Sequence, residues 1–289
     1  MIDLEQLHIF RDNLLVFSER KERAHAQRRL CVSEVIDRHL KGESPDSRET
    51  LYEFLRTGVP ELSKEERALF FLRLVEGYPR RNEAELDRSF YPWEEEGLED
   101  SRGRIALVKN RYNEQAFQQL APLVVGAKEY HVSSFSEACE EVASNRCEFC
   151  ILPLENDRDG RLFGFYGMLD RYEMKVCAVT SLETEEPLGS TRYALSGRSL
   201  PSRIAKQSQW NLEFSIASPV GEFPHDVLAV ASLLQAILLK VDSLPVLYDD
   251  QLQRFYFTFR AKKTNAHAFH LYCSAEHSRY TPIGLYPVL

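Results

Sequence analysis

Two short segments of this 289-residue chain set chemically capable side chains next to one another. Glu155-Asn156 closes an apolar run and precedes a loop at Gly160. A carboxylate and an amide there can hydrogen-bond a ligand, or can close a turn on local backbone. Thr191-Arg192-Tyr193 offers a guanidinium fork, able to clamp a carboxylate, beside a hydroxyl donor. The plainer reading is a β-branched and aromatic strand whose Arg is solvated. Arg20, and Arg48 with Glu49, lie in helical stretches, as ligand anchors or as surface helix charges. Cys147-Glu148-Phe149-Cys150 has a C-x-x-C spacing, but it runs into an apolar strand and no second pair follows. A core role is favoured over metal or redox chemistry. His267 and His270 flank Phe269 on an expected helix without acidic or Cys companions. No metal site and no cofactor are expected.

Composition narrows the classes. The chain has 44 acidic and 36 basic residues, a net charge of −8, which argues against general nucleic-acid or anionic-membrane binding. No apolar run approaches the ~18–20 residues that span a bilayer. Met1-Ile2-Asp3-Leu4-Glu5 is acidic and does not read as a secretory signal. Six scattered cysteines do not make a disulfide scaffold, so a cytoplasmic location is expected.

The elements that must position these residues change character along the chain. Leu7, Phe10, Leu14 and Phe17 share one helical face, and no Pro or Gly occurs before Gly42, which predicts one helix from about Leu4 to Leu40. A second helix is predicted from Pro45 to Arg56, and a third after a Ser63/Glu66 capping box, with Leu69, Leu72 and Val75 on one face. Residues 83–102 read as an acidic linker. From Arg104 to Leu195, apolar strands such as Ile105–Val108 and Phe149–Pro153 alternate with helices, which predicts a small α/β layer. Over the last 80 or so residues the pattern is β-α-β-β-α-β, the ferredoxin-like layout. There Leu212, Phe214 and Ile216 alternate on one strand, and Phe255, Phe257 and Phe259 face one side of another, with Tyr256 and Thr258 on the other side.

These residues carry a resemblance. Ile151-Leu152-Pro153-Leu154-Glu155-Asn156-Asp157-Arg158-Asp159-Gly160 resembles the "PIENS-x-x-G" signature of prephenate dehydratases, and Ser190-Thr191-Arg192-Tyr193 resembles their Thr-Arg-Phe motif. Ile237 to Pro245 resembles the "INLTKIESRP" segment of the ACT regulatory domain, Gly221-Glu222-Phe223 its Gly-Ala-Leu turn, and Leu285-Tyr286-Pro287 its closing "LGSYP". The N-terminal helices are similar to a helical chorismate mutase domain, with Glu19-Arg20 and Ser47-Arg48-Glu49 at its "ER" and "RE" positions. In domain order the chain resembles the bifunctional chorismate mutase–prephenate dehydratase family.

The resemblance implies an α+β protein of three units. These are a helical chorismate mutase-like unit over 1–90, a single α/β lobe (one half of a periplasmic-binding-protein-like pair) over 103–200, and a ferredoxin-like ACT unit over 208–289. It implies conversion of chorismate to prephenate and phenylpyruvate, with Thr191, Arg192, Glu155, Asn156, Arg20, Arg48 and Glu49 as catalytic residues. It also implies an aromatic amino acid bound by Gly221, Glu222, Phe223, Asp242, Ser243, Leu244 and Pro245, with Asp242 meeting an α-amino group, in a homodimer without nucleic-acid or membrane partners. Only residues 157–190 separate Asn156 from Thr191, too few for the family's second lobe. A cleft with one wall is therefore expected, and a non-catalytic relative that senses an aromatic amino acid is the alternative.

Overall fold

The computed structural model describes residues 4–41, 62–77, 90, 102–184, 189–203, 208–247 and 249–288. The predicted helix over 45–56, Arg48, Glu49 and nearly all of the 83–102 stretch lie outside the described residues.

The first helix, α1, runs Leu4–Leu40, and α2 runs Lys64–Gly77. The Ser63 hydroxyl accepts from the Glu66 N–H at 3.2 Å, and the Glu66 carboxylate accepts from the Ser63 N–H at 2.9 Å, closing the expected capping box. The buried face of α2 differs from the expected one. Leu69 is exposed, whereas Arg67, Ala68, Phe70, Phe71, Leu74 and Val75 are buried. Arg67 is the cause: its guanidinium turns inward and grips both Glu276 oxygens, at 2.6 and 2.8 Å.

The next stretch is the α/β layer. It comprises β1 (Arg104–Val108), α3 (Arg111–Leu120), β2 (Lys128–Val132), α4 (Phe135–Ala143), β3 (Phe149–Asn156), the two-residue β4 (Gly160–Arg161), α5 (Phe163–Arg171), β5 (Lys175–Glu183) and β6 (Ser190–Gly197). β1 pairs parallel with β2 and β3, while β6 runs antiparallel between β3 and β5. Phe149 to Leu152 are all buried, as a strand covered on both faces requires. Asn110 and Ser134 cap α3 and α4 through their side chains, which places both helix starts where polar residues end the preceding strands.

The remainder follows as β7 (Gln209–Pro219), α6 (His225–Leu233), β8 (Ile237–Val246), β9 (Asp249–Lys262), α7 (Lys263–Glu276) and β10 (Tyr280–Pro287). The order β-α-β-β-α-β is the one read from the pattern, and the strands lie β10-β7-β9-β8. On one face Phe214, Phe257, Phe259 and Phe269 pack ring on ring, with Phe214 and Phe259 stacked at 5.9 Å. Each ring buried this way contributes about 1.5–3 kcal/mol.

The layers join into one ten-stranded mixed sheet, ordered β2-β1-β3-β6-β5-β10-β7-β9-β8 with β4 beside β3. The seam is a parallel pairing of β10 with β5, in which Gly284 faces Val176. A Cβ on Gly284 would sit 2.7 Å from the Val176 Cβ and 3.0 Å from its carbonyl oxygen, so this approach needs glycine.

Candidate functional site

Period-2 alternation puts Asn211 and Glu213 of β7, Thr258 and Arg260 of β9, and Tyr286 of β10 on the sheet face opposite the phenylalanines. On a free ferredoxin-like sheet this face would be wet. Here the α/β layer covers it. The sheet curls until β3 and β8 meet: Lys240 donates to Glu155 at 2.5 Å, and Arg161 of β4 donates to Asp242 at 2.6 Å.

Inside the curl lies a buried charge cluster. Glu213 is fully buried; it accepts from Arg192 at 2.5 Å and from the Tyr286 hydroxyl at 2.5 Å. Its other oxygen takes the Tyr166 hydroxyl at 3.3 Å, with Arg161 at 4.0 Å. Arg161 also donates to Thr258 at 2.5 Å. Arg192 has three partners: Nη1 reaches Glu155 at 2.9 Å, and Nη2 holds Glu213 and, at 2.8 Å, the Tyr286 oxygen. Arg161, Arg192 and Lys240 thus balance Glu155, Glu213 and Asp242. Desolvation alone would raise the Glu213 pKa, but Arg192 and Arg161 beside it outweigh burial and hold it below the ordinary carboxylate value. Burial likewise opposes the charge on Arg192, yet the Tyr286 and Glu213 oxygens more than offset it, and its pKa is raised.

Above this cluster opens a cavity of about 490 Å³. Among the described residues its cationic lining is Arg192, Lys240 and Arg260, against the one carboxylate of Glu155. Val179, Leu239, Pro287 and Val288 supply an apolar side. That size and mixture suit a small metabolite bearing an anionic group. The expected single-walled cleft is therefore replaced: the second wall around Arg192 comes from β7, β8, β9 and β10 of the same chain.

Of the residues singled out from the sequence, Glu155 and Arg192 line this cavity. Thr191 does not. Neighbours on a strand point to opposite faces, and the buried Thr191 hydroxyl meets that of Thr184 at 3.1 Å. Asn156 serves the turn: its side-chain oxygen accepts from the Asp159 N–H at 2.6 Å. Asp242, expected to meet an α-amino group, is taken by Arg161. Ser243 accepts from Gln253 at 2.9 Å. Gly221, with φ +88°, makes the β7–α6 turn, where the Glu222 N–H donates to the Pro219 oxygen at 2.9 Å. Phe223 packs its ring on Phe255, and Leu244 and Pro245 run along β8. Arg20 is exposed on α1. Cys147 and Cys150 are buried, and burial pushes the Cys147 thiol up to about 12. His270 meets the Tyr280 hydroxyl at 2.8 Å, and His267 the Lys263 oxygen at 3.0 Å. Lys240, Asn211, Glu213 and Arg260 were missed; the signal for them was a polar or charged residue set within an apolar strand, as in Leu212-Glu213-Phe214.

Comparison with solved structures decides the fold. The prephenate dehydratase of Streptococcus mutans matches with a TM-score of 0.51 at 19% identity, over 63% of this chain and 97% of that one. Over the matched part of the chain the fold is prephenate dehydratase-like. GqqA, described as a novel type of quorum quenching acylase, matches at 0.50 and 15% identity, over 64% of this chain and 95% of its own. A prephenate dehydratase from Arthrobacter aurescens in complex with L-Phe matches at 0.47 and 12% identity, over 64% and 90%. No family model and no curated protein matches the chain. Among the described residues, no helix is long and apolar enough to cross a membrane.

Proposed function

We propose that the protein binds a small carboxylate of the aromatic amino-acid branch (prephenate, phenylpyruvate or phenylalanine) in the cavity beside Arg192. The observation that carries this reading is the lining: among the described residues three cations face one carboxylate around a space of metabolite size, with an apolar side for a ring. The prephenate dehydratase-like fold and the Glu155 and Thr191-Arg192 segments support the choice of ligand. Binding without turnover is favoured by Thr191, the expected proton donor, which faces away from Arg192 and out of the cavity.

The deciding experiment is calorimetric titration of the full chain with prephenate, phenylpyruvate and L-Phe, alongside an assay for phenylpyruvate formed from prephenate. Binding of any of the three supports the reading, and formation of phenylpyruvate restores the dehydratase. Three flat titrations reject it.

A homodimer forms part of the proposal. β8 is the last strand of the sheet, no strand among the described residues pairs with its outer edge, and Ile237, Leu238 and Val241 are exposed along it. A second copy pairing there covers both. Light scattering on the wild type and on Ile237→Lys tests this: a dimer that the substitution dissociates is expected, and a wild-type monomer rejects it.

A further inference from the structure

The cavity cations are not equivalent. Arg192 is held by Glu155, Glu213 and Tyr286, so turning it toward a ligand would strip the fully buried Glu213 of a partner. Lys240 is taken by Glu155 at 2.5 Å. Arg260 has no carboxylate partner among the described residues. Its Nε donates to the Asn211 side-chain oxygen at 3.2 Å, and Asn211 is its register partner across β7 and β9. Asn211 thus steadies the guanidinium of this lining residue through Nε and leaves its Nη edge, the edge that matches a carboxylate, without a described carboxylate partner.

A second feature shapes the same space. Leu239 and Lys240 both line the cavity, although adjacent residues of a regular strand point to opposite sides. The pairing of β8 with β9 shifts register between Leu238 and Lys240, and such a bulge re-aims side chains. It brings an apolar side chain to the lining beside Val179, Pro287 and Val288.

We infer that Arg260 is the primary anion anchor of the cavity, taking the carboxylate of a small acid whose apolar body lies on Leu239 and Val179, with Asn211 as the positioning residue. This rests on the reading of the cavity as the binding site, and it moves the anchor from the resemblance-bearing Arg192 to the ferredoxin-like layer.

The test uses phenylpyruvate and 3-phenylpropionate as carboxylate probes, 3-phenylpropanol as the uncharged comparator and inorganic phosphate as a competing anion, titrated into the full chain. Wild type is expected to bind both acids and neither the alcohol nor phosphate comparably. Arg260→Gln is expected to weaken the acids roughly tenfold to a hundredfold. Arg260→Lys, which keeps the charge and loses the fork, should fall between, and Asn211→Ala should weaken binding less than Arg260→Gln. Thermal unfolding of each variant checks that the fold is intact, and Arg260→Lys carries the test if Arg260→Gln does not fold. Acid binding unchanged in both Arg260 variants would overturn the assignment while leaving the cavity reading standing. Equal binding of phosphate or of the alcohol would overturn the carboxylate class. No binding of either acid by wild type would remove the cavity reading itself.

Discussion

Glu155 of β3 and Lys240 of β8 meet at 2.5 Å although β6, β5, β10, β7 and β9 lie between their strands in the sheet. Strand twist accumulates across a wide sheet, and here it brings distant strands face to face. With Arg161 and Asp242 beside them, side-chain ion pairs join what backbone hydrogen bonds do not. Both members of the first pair are about a quarter exposed, at 22% and 28%, so the contact is partly screened. A double-mutant cycle with Glu155→Gln and Lys240→Met should give a coupling of roughly 0.5–1 kcal/mol in urea unfolding, declining with added salt. Zero coupling at low salt would show that the sheet curls without this latch.

Glu213 is the central carboxylate, and both Arg161 and Arg192 depend on it. Glu213→Ala should cost about 3–5 kcal/mol, because the buried Arg161 and the half-buried Arg192 lose their shared partner. Replacing the group together with Arg161, as Arg161→Met with Glu213→Leu, should cost less than the single change. Chemical denaturation of both variants measures this; equal losses would count against mutual dependence.

The same residue sets an acid limit. Its folded pKa lies below its unfolded value, so its contribution is present above the unfolded pKa of about 4.3 and disappears as pH falls through the folded one. Stability followed from pH 6 to pH 3 should therefore decline less steeply in Glu213→Gln than in wild type. Parallel curves would exclude Glu213 as the titrating group.

Gly284 at the seam predicts a steric effect. Gly284→Ala places a methyl against Val176 and within 3.0 Å of the Tyr286 ring, and should destabilise by about 1–3 kcal/mol. It should also shift Tyr286, which lines the cavity, and so lower affinity for the carboxylate probes. A variant as stable as wild type would mean that β5 and β10 can part at no cost.

Docking of α2 on α7 turns on Arg67 and Glu276, whose side chains are 11% and 8% exposed. Arg67→Met should cost about 2 kcal/mol and raise hydrogen exchange selectively along α2. Unchanged exchange there would assign the docking to Phe70, Phe71 and Leu74 alone.

The strands were legible because their chemistry is local. Phe149 to Leu152 is apolar at every position, and Phe255, Phe257 and Phe259 alternate, so covered faces followed directly. The capping box at Ser63 was equally plain. The buried face of α2 was not, because Leu69 fits a helical stripe as well as Phe71 does, and only Glu276, more than two hundred residues on, draws Arg67 inward. The site failed for a related reason. Alternation says that Asn211, Glu213, Thr258 and Arg260 share a face, but not what covers it. A polar stripe reads as a wet surface until a second layer is known to lie on it. Thr191 and Arg192 show the converse: adjacency along a strand looked like partnership and is geometric separation.

β10, the last strand in chain order, lies between β5 and β7 in the middle of the sheet. During translation the α/β layer therefore emerges before the strand that pairs with β5 on that flank. Its completion waits on a segment made about a hundred residues later, and long-range pairing of this kind slows folding. The nascent chain should thus need protection of that flank until β10 has emerged, and a stop before Tyr280 would leave both layers open.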